Sequence, residues 1–166
     1  MIFLRNLVRF RNPTRGWVRD PSRPLKLDLD SNSLSGVPLG AAFERLEFLG
    51  PALRSKQGPE FWEFSNLGVV AETEAARICS LFVVPIPDET FGVDPYTGVI
   101  AIAGQPVSIS WISRELDVIR VFGRPTLRDE DREETVLSYE IGGRLEREIE
   151  LTPEGRIKTI AIYSYS

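Results

Sequence analysis

Two segments of this chain repeat one pattern, and this repetition constrains the fold more than any other feature of the sequence. Each segment begins with a Gly-x-Pro triplet, Gly36-Val37-Pro38 in the first and Gly104-Gln105-Pro106 in the second. An apolar stripe at i, i+4, i+7 and i+10 follows each triplet, as is typical of one face of an α-helix. The two stripes are Leu39, Phe43, Leu46 and Leu49, and Ile112, Leu116, Ile119 and Phe122. A glycine and then a proline follow each stripe, so the pattern predicts one short helix in each segment.

Apolar runs around each helix predict β-strands. One run precedes each triplet, at residues 25–29 and 99–103, and three runs follow each helix. The later runs are residues 61–65, 69–72 and 77–84, and then residues 135–141, 144–151 and 156–163. The sequence therefore predicts an α+β fold of two tandem β-α-β-β-β units, each a mainly antiparallel sheet with one helix packed on one face. We interpret the repeat as an internal duplication.

Composition divides the chain further. Residues 1–24 form a basic arm that contains one acid, Asp20, and six arginines, which are Arg5, Arg9, Arg11, Arg15, Arg19 and Arg23. Residues 25–84 are the predicted first unit, residues 85–97 a proline-rich linker, and residues 98–166 the second unit. The chain as a whole has a net charge of −4, so its body is acidic. We expect the arm to lie against that body or to be solvated, and binding of nucleic acid or of an anionic membrane is the alternative.

The residue inventory argues against most catalytic chemistry. The chain has no His, which is the commonest general base and the commonest metal ligand in proteins. Its single cysteine, Cys79, allows neither an intramolecular disulfide nor a multi-cysteine zinc site. We therefore predict a non-enzymatic protein without catalytic, cofactor-binding or metal-binding residues, and we expect it to be cytoplasmic.

One acidic run leaves an enzymatic alternative open. Residues 129–134 contain five acids, and clustered carboxylates can bind divalent cations. A solvated loop is the ordinary interpretation of such a run, and a metal-dependent hydrolase that uses these carboxylates is the alternative function.

Two sets of strand residues are candidate partner-binding residues. Glu146, Glu148 and Glu150 alternate with apolar residues, so they form an acidic row on one face of a strand. Such a row is either a solvated outer face or a docking surface for a basic partner. Trp62 and Phe64 share one face of another strand, where they belong to the core or form an exposed aromatic anchor.

The order of Gly-x-Pro, short helix, Gly-Pro-like stop and antiparallel strands, present twice over about residues 25–165, gives a resemblance. In layout the chain resembles the tandem α/β units of the β-lactamase inhibitor protein and outer-membrane assembly lipoprotein superfamily. The resemblance implies a binding module that presents a sheet face. Together with the residue inventory, it favours a protein-binding module of the inhibitor or immunity type, with a protein as its partner.

Overall fold

The computed structural model describes residues 12–87, 90–108 and 114–165, and these residues form two sheets with helices beside them. The strands of the first segment are β1 (Lys26–Asp28), β2 (Ser33–Leu34), β3 (Val37–Pro38), β4 (Leu53–Arg54), β5 (Phe61–Phe64), β6 (Val69–Glu74) and β7 (Arg77–Val83). Those of the second are β8 (Val99–Ile102), β9 (Gln105–Val107), β10 (Leu127–Glu130), β11 (Thr135–Ile141), β12 (Leu145–Leu151) and β13 (Ile157–Ser164). The helices are a 3-10 helix (Phe43–Leu49), a single 3-10 turn (Ser65–Leu67) and α1 (Glu115–Phe122). The α+β class with mainly antiparallel sheets agrees with the sequence prediction.

Both segments contribute strands to both sheets. The large sheet has eight antiparallel strands in the order β4-β5-β6-β7-β13-β12-β11-β10. The small sheet has five strands in the order β3-β2-β1-β8-β9, with β1 and β8 parallel to each other. The sequence analysis expected a separate sheet for each unit. The structure differs because β7 pairs with β13 and β1 pairs with β8, so the sheets run continuously from one segment into the other.

The main core lies between the small sheet and one face of the large sheet, which we call the inner face. Leu27, Leu34 and Ile100 of the small sheet pack into one cluster with inner-face residues such as Ile149 and Ile160. These five side chains are at most 1% exposed. Burial of this apolar surface is the main favourable contribution to folding.

A buried arginine also links the two layers. Arg147 of β12 lies on the inner face opposite Tyr139, and its Nη2 donates a hydrogen bond of 2.8 Å to the carbonyl of Leu29. Burial lowers the pKa of this guanidinium, because the charged form loses its hydration. The hydrogen bond fixes the segment after β1 against the large sheet.

The opposite face of the large sheet, the outer face, is covered over only part of its width. Val70 of β6 and Phe82 of β7 form a second cluster with Phe91 and Val93 of the linker. The ring centroids of Phe82 and Phe91 are 5.4 Å apart. The linker therefore lies across the part of the outer face that the first segment supplies.

The two helices differ from the predicted pair. The first is a 3-10 helix, and three of its four buried residues, Phe43, Leu46 and Leu49, recur every three residues, the period of that helix. In α1 the buried residue is Val118, whereas Leu116 of the predicted stripe is 64% exposed. A helix with five apolar residues among eight offers two possible faces, and packing against the sheet selects the one that includes Val118. Both helices end before glycine, as predicted.

The end of the linker is fixed to the small sheet by one buried phenol. The hydroxyl of Tyr96 donates to the carbonyl of Val99 at 3.2 Å and accepts from the backbone N–H of Leu27 at 3.1 Å. Burial raises the pKa of Tyr96 far above its ordinary value, so the hydroxyl remains protonated. The backbone of Tyr96 also packs on Gly68, which has a φ of 64°.

Gly68→Ala should destabilise the protein much more than Gly104→Ala. A Cβ at position 68 would lie 2.2 Å from the nitrogen of Tyr96, whereas a Cβ at position 104 meets nothing within 4 Å. Both glycines have a positive φ, 64° and 71°, so the second variant matches the backbone strain of the first. We expect a loss of about 1 kcal/mol for Gly104→Ala and about 3 kcal/mol or more for Gly68→Ala. Urea unfolding measures both, and equal losses would contradict the close approach of Tyr96.

Candidate partner-binding face

Four glutamates lie together on the outer face of β11 and β12. Cross-strand pairing places Glu140 opposite Glu146, Ser138 opposite Glu148, and Val136 opposite Glu150. Directly opposed residues of an antiparallel pair project to the same side of the sheet. Glu140 is exposed, and the other three glutamates are half-buried. We call Glu140, Glu146, Glu148 and Glu150 the acidic face.

Neighbouring donors hold the three half-buried carboxylates in place. The Tyr165 hydroxyl donates to Glu146, and the Ser138 hydroxyl donates to Glu148 at 3.4 Å. Lys158 lies 3.8 Å from Glu150, at the other end of the row. The acceptance of its hydroxyl proton by Glu146 raises the pKa of Tyr165 to about 12. These contacts orient the three carboxylates.

The acidic face is the part of the outer face that the linker does not cover. The linker cluster extends over β6 and β7 and reaches Ala161 of β13. On β10 and β11, by contrast, Leu127, Asp129 and Glu140 are exposed. The two ends of one continuous sheet therefore differ, because an apolar cluster is covered by the chain's own linker at one end and carboxylates face outward at the other.

The pair Glu140 and Glu146 sets two like charges directly opposite each other, which costs stability in a sheet. Glu140→Lys should therefore stabilise the protein by about 0.2–1 kcal/mol at low salt, since it converts this repulsive pair into an attractive one. Glu47→Lys makes the same change of charge at an exposed position of the 3-10 helix and serves as the control. Thermal unfolding at low and high salt measures the difference. A gain that is equal for both variants would assign the effect to net charge rather than to the pair.

A cavity of about 370 Å³ opens beside the acidic face, near the hairpin turn that joins β11 and β12. Its lining includes Glu140 and Glu146 together with Leu127, Leu145 and Tyr165. Leu127 and Tyr165 are 62% and 55% exposed, so apolar and aromatic surface adjoins the carboxylates here. The sequence analysis did not identify this cavity, because it depends on the pairing of β10 with β11 and on the position of the last residues.

An ion pair between α1 and the edge strand holds the rim of this cavity. Arg128 of β10 donates from Nε and Nη2 to the two carboxylate oxygens of Glu115, at 2.8 and 3.0 Å. The guanidinium of Arg128 holds the pKa of Glu115 below its ordinary value, mainly through the hydrogen bonds.

Glu115→Gln should make unfolding less sensitive to acid. Because the folded-state pKa of Glu115 is lowered, its ion pair stabilises the protein above the ordinary pKa of 4.5 and is lost as pH falls through the folded-state value. We expect the variant to be less stable by about 0.2–1 kcal/mol near pH 7 and to approach the wild type near pH 3. Melting temperatures over this range measure the effect, with Glu47→Gln as the control. A difference independent of pH would contradict the assignment to Glu115.

Of the two alternatives for Trp62 and Phe64, core residues or an exposed aromatic anchor, the structure agrees with the first. Trp62 and Phe64 are only 5% and 1% exposed, because both lie on the inner face of β5 within the main core. Trp62 packs on Phe43, with ring centroids 5.2 Å apart, and the guanidinium of Arg54 lies over its ring. Neither ring can contact a partner in this structure. The alternation of Trp62 and Phe64 with Glu63 predicts a common face, but it does not say which face is inside.

The described part of the basic arm, residues 12–24, packs on the body of the protein. Asn12 donates to the carbonyl of Ala52 at 2.7 Å, and Trp17 packs on Phe43. Arg19 donates to the carbonyl of Phe48 at 3.2 Å, and the guanidinium of Arg23 lies 3.8 Å above the Phe48 ring.

These arm contacts use carbonyls and rings rather than acidic side chains. Arg15 is exposed, whereas Arg5, Arg9 and Arg11 lie outside the described residues. Nucleic-acid or membrane binding by the arm stays a prediction.

The acidic run at residues 129–134 is an edge strand followed by a turn, and not a loop throughout. Asp131 accepts the backbone N–H groups of Glu133 and Glu134, and Lys158 pairs with Glu134 at 2.7 Å. In the described part of the chain, no group of three or more Cys, Asp or Glu side chains is arranged to hold a metal ion. The hydrolase alternative therefore has no geometric support among these residues and stays a prediction.

Comparisons with known proteins give no match: no family model, no curated protein and no solved structure is similar to this chain. The resemblance in layout noted from the sequence therefore remains untested. Within the described ranges, no helix is both long enough and apolar enough to cross a membrane. The function must be argued from the geometry of the site.

Proposed function

We propose that this protein is a non-enzymatic protein-binding module, of the inhibitor or immunity type, whose acidic face binds a basic surface of a partner protein. The observation that carries the proposal is the uncovered end of the large sheet, where four carboxylates face outward and neighbouring donors hold three of them. Complementary charge across an interface accelerates association and selects the partner. The resemblance noted from the sequence implies the same class of function.

The arrangement of the acids supports a binding role over a merely solvated surface. A solvated strand face can carry mixed charges or Thr and Ser at no cost, whereas Glu140 opposite Glu146 lowers stability. A basic partner would remove that repulsion on binding. The proposal therefore explains a pairing that folding alone does not favour.

We also propose that the two segments arose by duplication of one unit. The four strands that follow each helix occupy mirrored positions in the large sheet, with β4 and β10 at its edges and β7 and β13 at its centre. In both segments a glycine ends the helix before these strands. On this view the two ends of the outer face were once equivalent, and one became covered by the linker while the other stayed open for a partner.

Replacing the acidic face with neutral residues should abolish partner capture. In the face variant, Glu140, Glu146, Glu148 and Glu150 are all changed to Gln, and the matched control carries Glu→Gln changes at Glu44, Glu47, Glu133 and Glu154. All four control positions are exposed. The experiment compares the wild type, the face variant and the control as baits in lysate of the source cells. Each captured protein is then purified and its affinity for the three baits is measured.

We expect a protein that binds the wild type and the control with similar affinity and the face variant at least about tenfold more weakly. Its affinity should fall as salt rises from about 50 to 300 mM, since salt screens exposed charges. Equal binding of the face variant, or no protein that binds the wild type directly, would contradict the proposal.

A further inference from the structure

We infer that the cavity beside Glu140 and Glu146 receives an arginine side chain of the partner protein. This inference rests on the proposed function and specifies it, because it names the group that anchors the partner. The cavity, of about 370 Å³, lies within the size range of sites that hold small ligands. Its lining combines the carboxylates of Glu140 and Glu146 with the apolar side chain of Leu127 and the aromatic ring of Tyr165.

The walls match the two parts of an arginine side chain. Leu127, which lies on the same face of the sheet as Ser138 and Glu148, lines the cavity and can cover an aliphatic stem. The ring of Tyr165 also lines it and offers a flat surface on which a guanidinium can stack. Leu127 and Tyr165 are more than half exposed, so both side chains are accessible to a partner.

The carboxylate pair favours arginine over lysine. The Cβ atoms of directly opposed residues in an antiparallel sheet are about 5 Å apart, so Glu140 and Glu146 can both reach one planar guanidinium. A guanidinium presents five donors in a fixed plane, whereas the ammonium group of lysine is a compact charge that is more strongly hydrated. One oxygen of Glu146 already accepts from Tyr165, which orients the carboxylate and brings the ring beside it.

The inference can be tested on the full chain with small probes. N-acetyl-arginine methylamide and N-acetyl-lysine methylamide are titrated into isotopically labelled protein at low salt, and amide chemical shifts are recorded. The variants are the double mutant Glu140→Gln with Glu146→Gln, and Tyr165→Leu, which removes the aromatic ring. Glu150→Gln with Glu148→Gln is the matched control, because it removes the same charge from the acidic face away from the cavity.

We expect the arginine probe to shift the amides of residues 126–127, 138–146 and 165, with a Kd in the millimolar range and at least about threefold tighter than the lysine probe. The Glu140/Glu146 double variant should weaken binding by about tenfold, and the control by less than about twofold. Tyr165→Leu should reduce the preference for arginine over lysine. The same variants are then compared for affinity toward the captured partner.

Shifts spread over the whole acidic face, equal binding of both probes, or equal effects of the double variant and the control would overturn the inference. These outcomes would not contradict the proposed function, because that function requires only that binding of a partner depend on the four glutamates together. A partner that binds through Glu148 and Glu150 while the arginine probe ignores the cavity would refute the inference alone. If no partner depends on the acidic face, the proposed function is wrong, and the inference that rests on it is wrong as well.

Discussion

The antiparallel pairing of β7 with β13 is the contact on which the rest of the structure depends. It sets Val83 opposite Ile160 on the inner face and Phe82 opposite Ala161 on the outer face. Without it, each segment would end in a strand with unpaired backbone groups, which is a hazard for aggregation. The pairing makes one eight-stranded sheet out of two shorter ones, and it thereby gives both segments a common core.

Because the large sheet is continuous, each end of its outer face must be either covered by another part of the chain or compatible with water. At one end the linker covers Val70 and Phe82 with Phe91 and Val93, so apolar residues are buried on both sides of the sheet. At the other end carboxylates face outward, with the exposed side chains of Leu127 and Tyr165 beside them. The course of the linker therefore determines which end of the outer face is covered and which stays open. Tyr96 fixes the end of the linker at the small sheet.

The sequence predicted local elements well where the apolar period was unambiguous. The strands predicted at residues 135–141 and 144–151 and the alternation of Glu146, Glu148 and Glu150 with inner-face residues both agree with the structure. Long-range pairing could not be derived, since an apolar strand such as β7 is compatible with several neighbours. For the same reason the cavity at Tyr165 had no signal in the sequence, and the alternation of Trp62 and Phe64 with Glu63 left open which face of the strand is buried.

The inner-face residues of β11 and β12 stabilise the fold, whereas the like charges of the acidic face on the same two strands destabilise it. Inner-face residues such as Leu137 and Ile149 are fully buried and hold the hairpin in register, so they fix the outward direction of the glutamates. That firm register is what allows two like charges to stay opposed at positions 140 and 146, where a weaker hairpin would slip or fray. Tyr165, Ser138 and Lys158 then reduce the entropy that the row would otherwise lose on binding. A face built in this way is preorganised, and preorganisation has value for recognition rather than for folding.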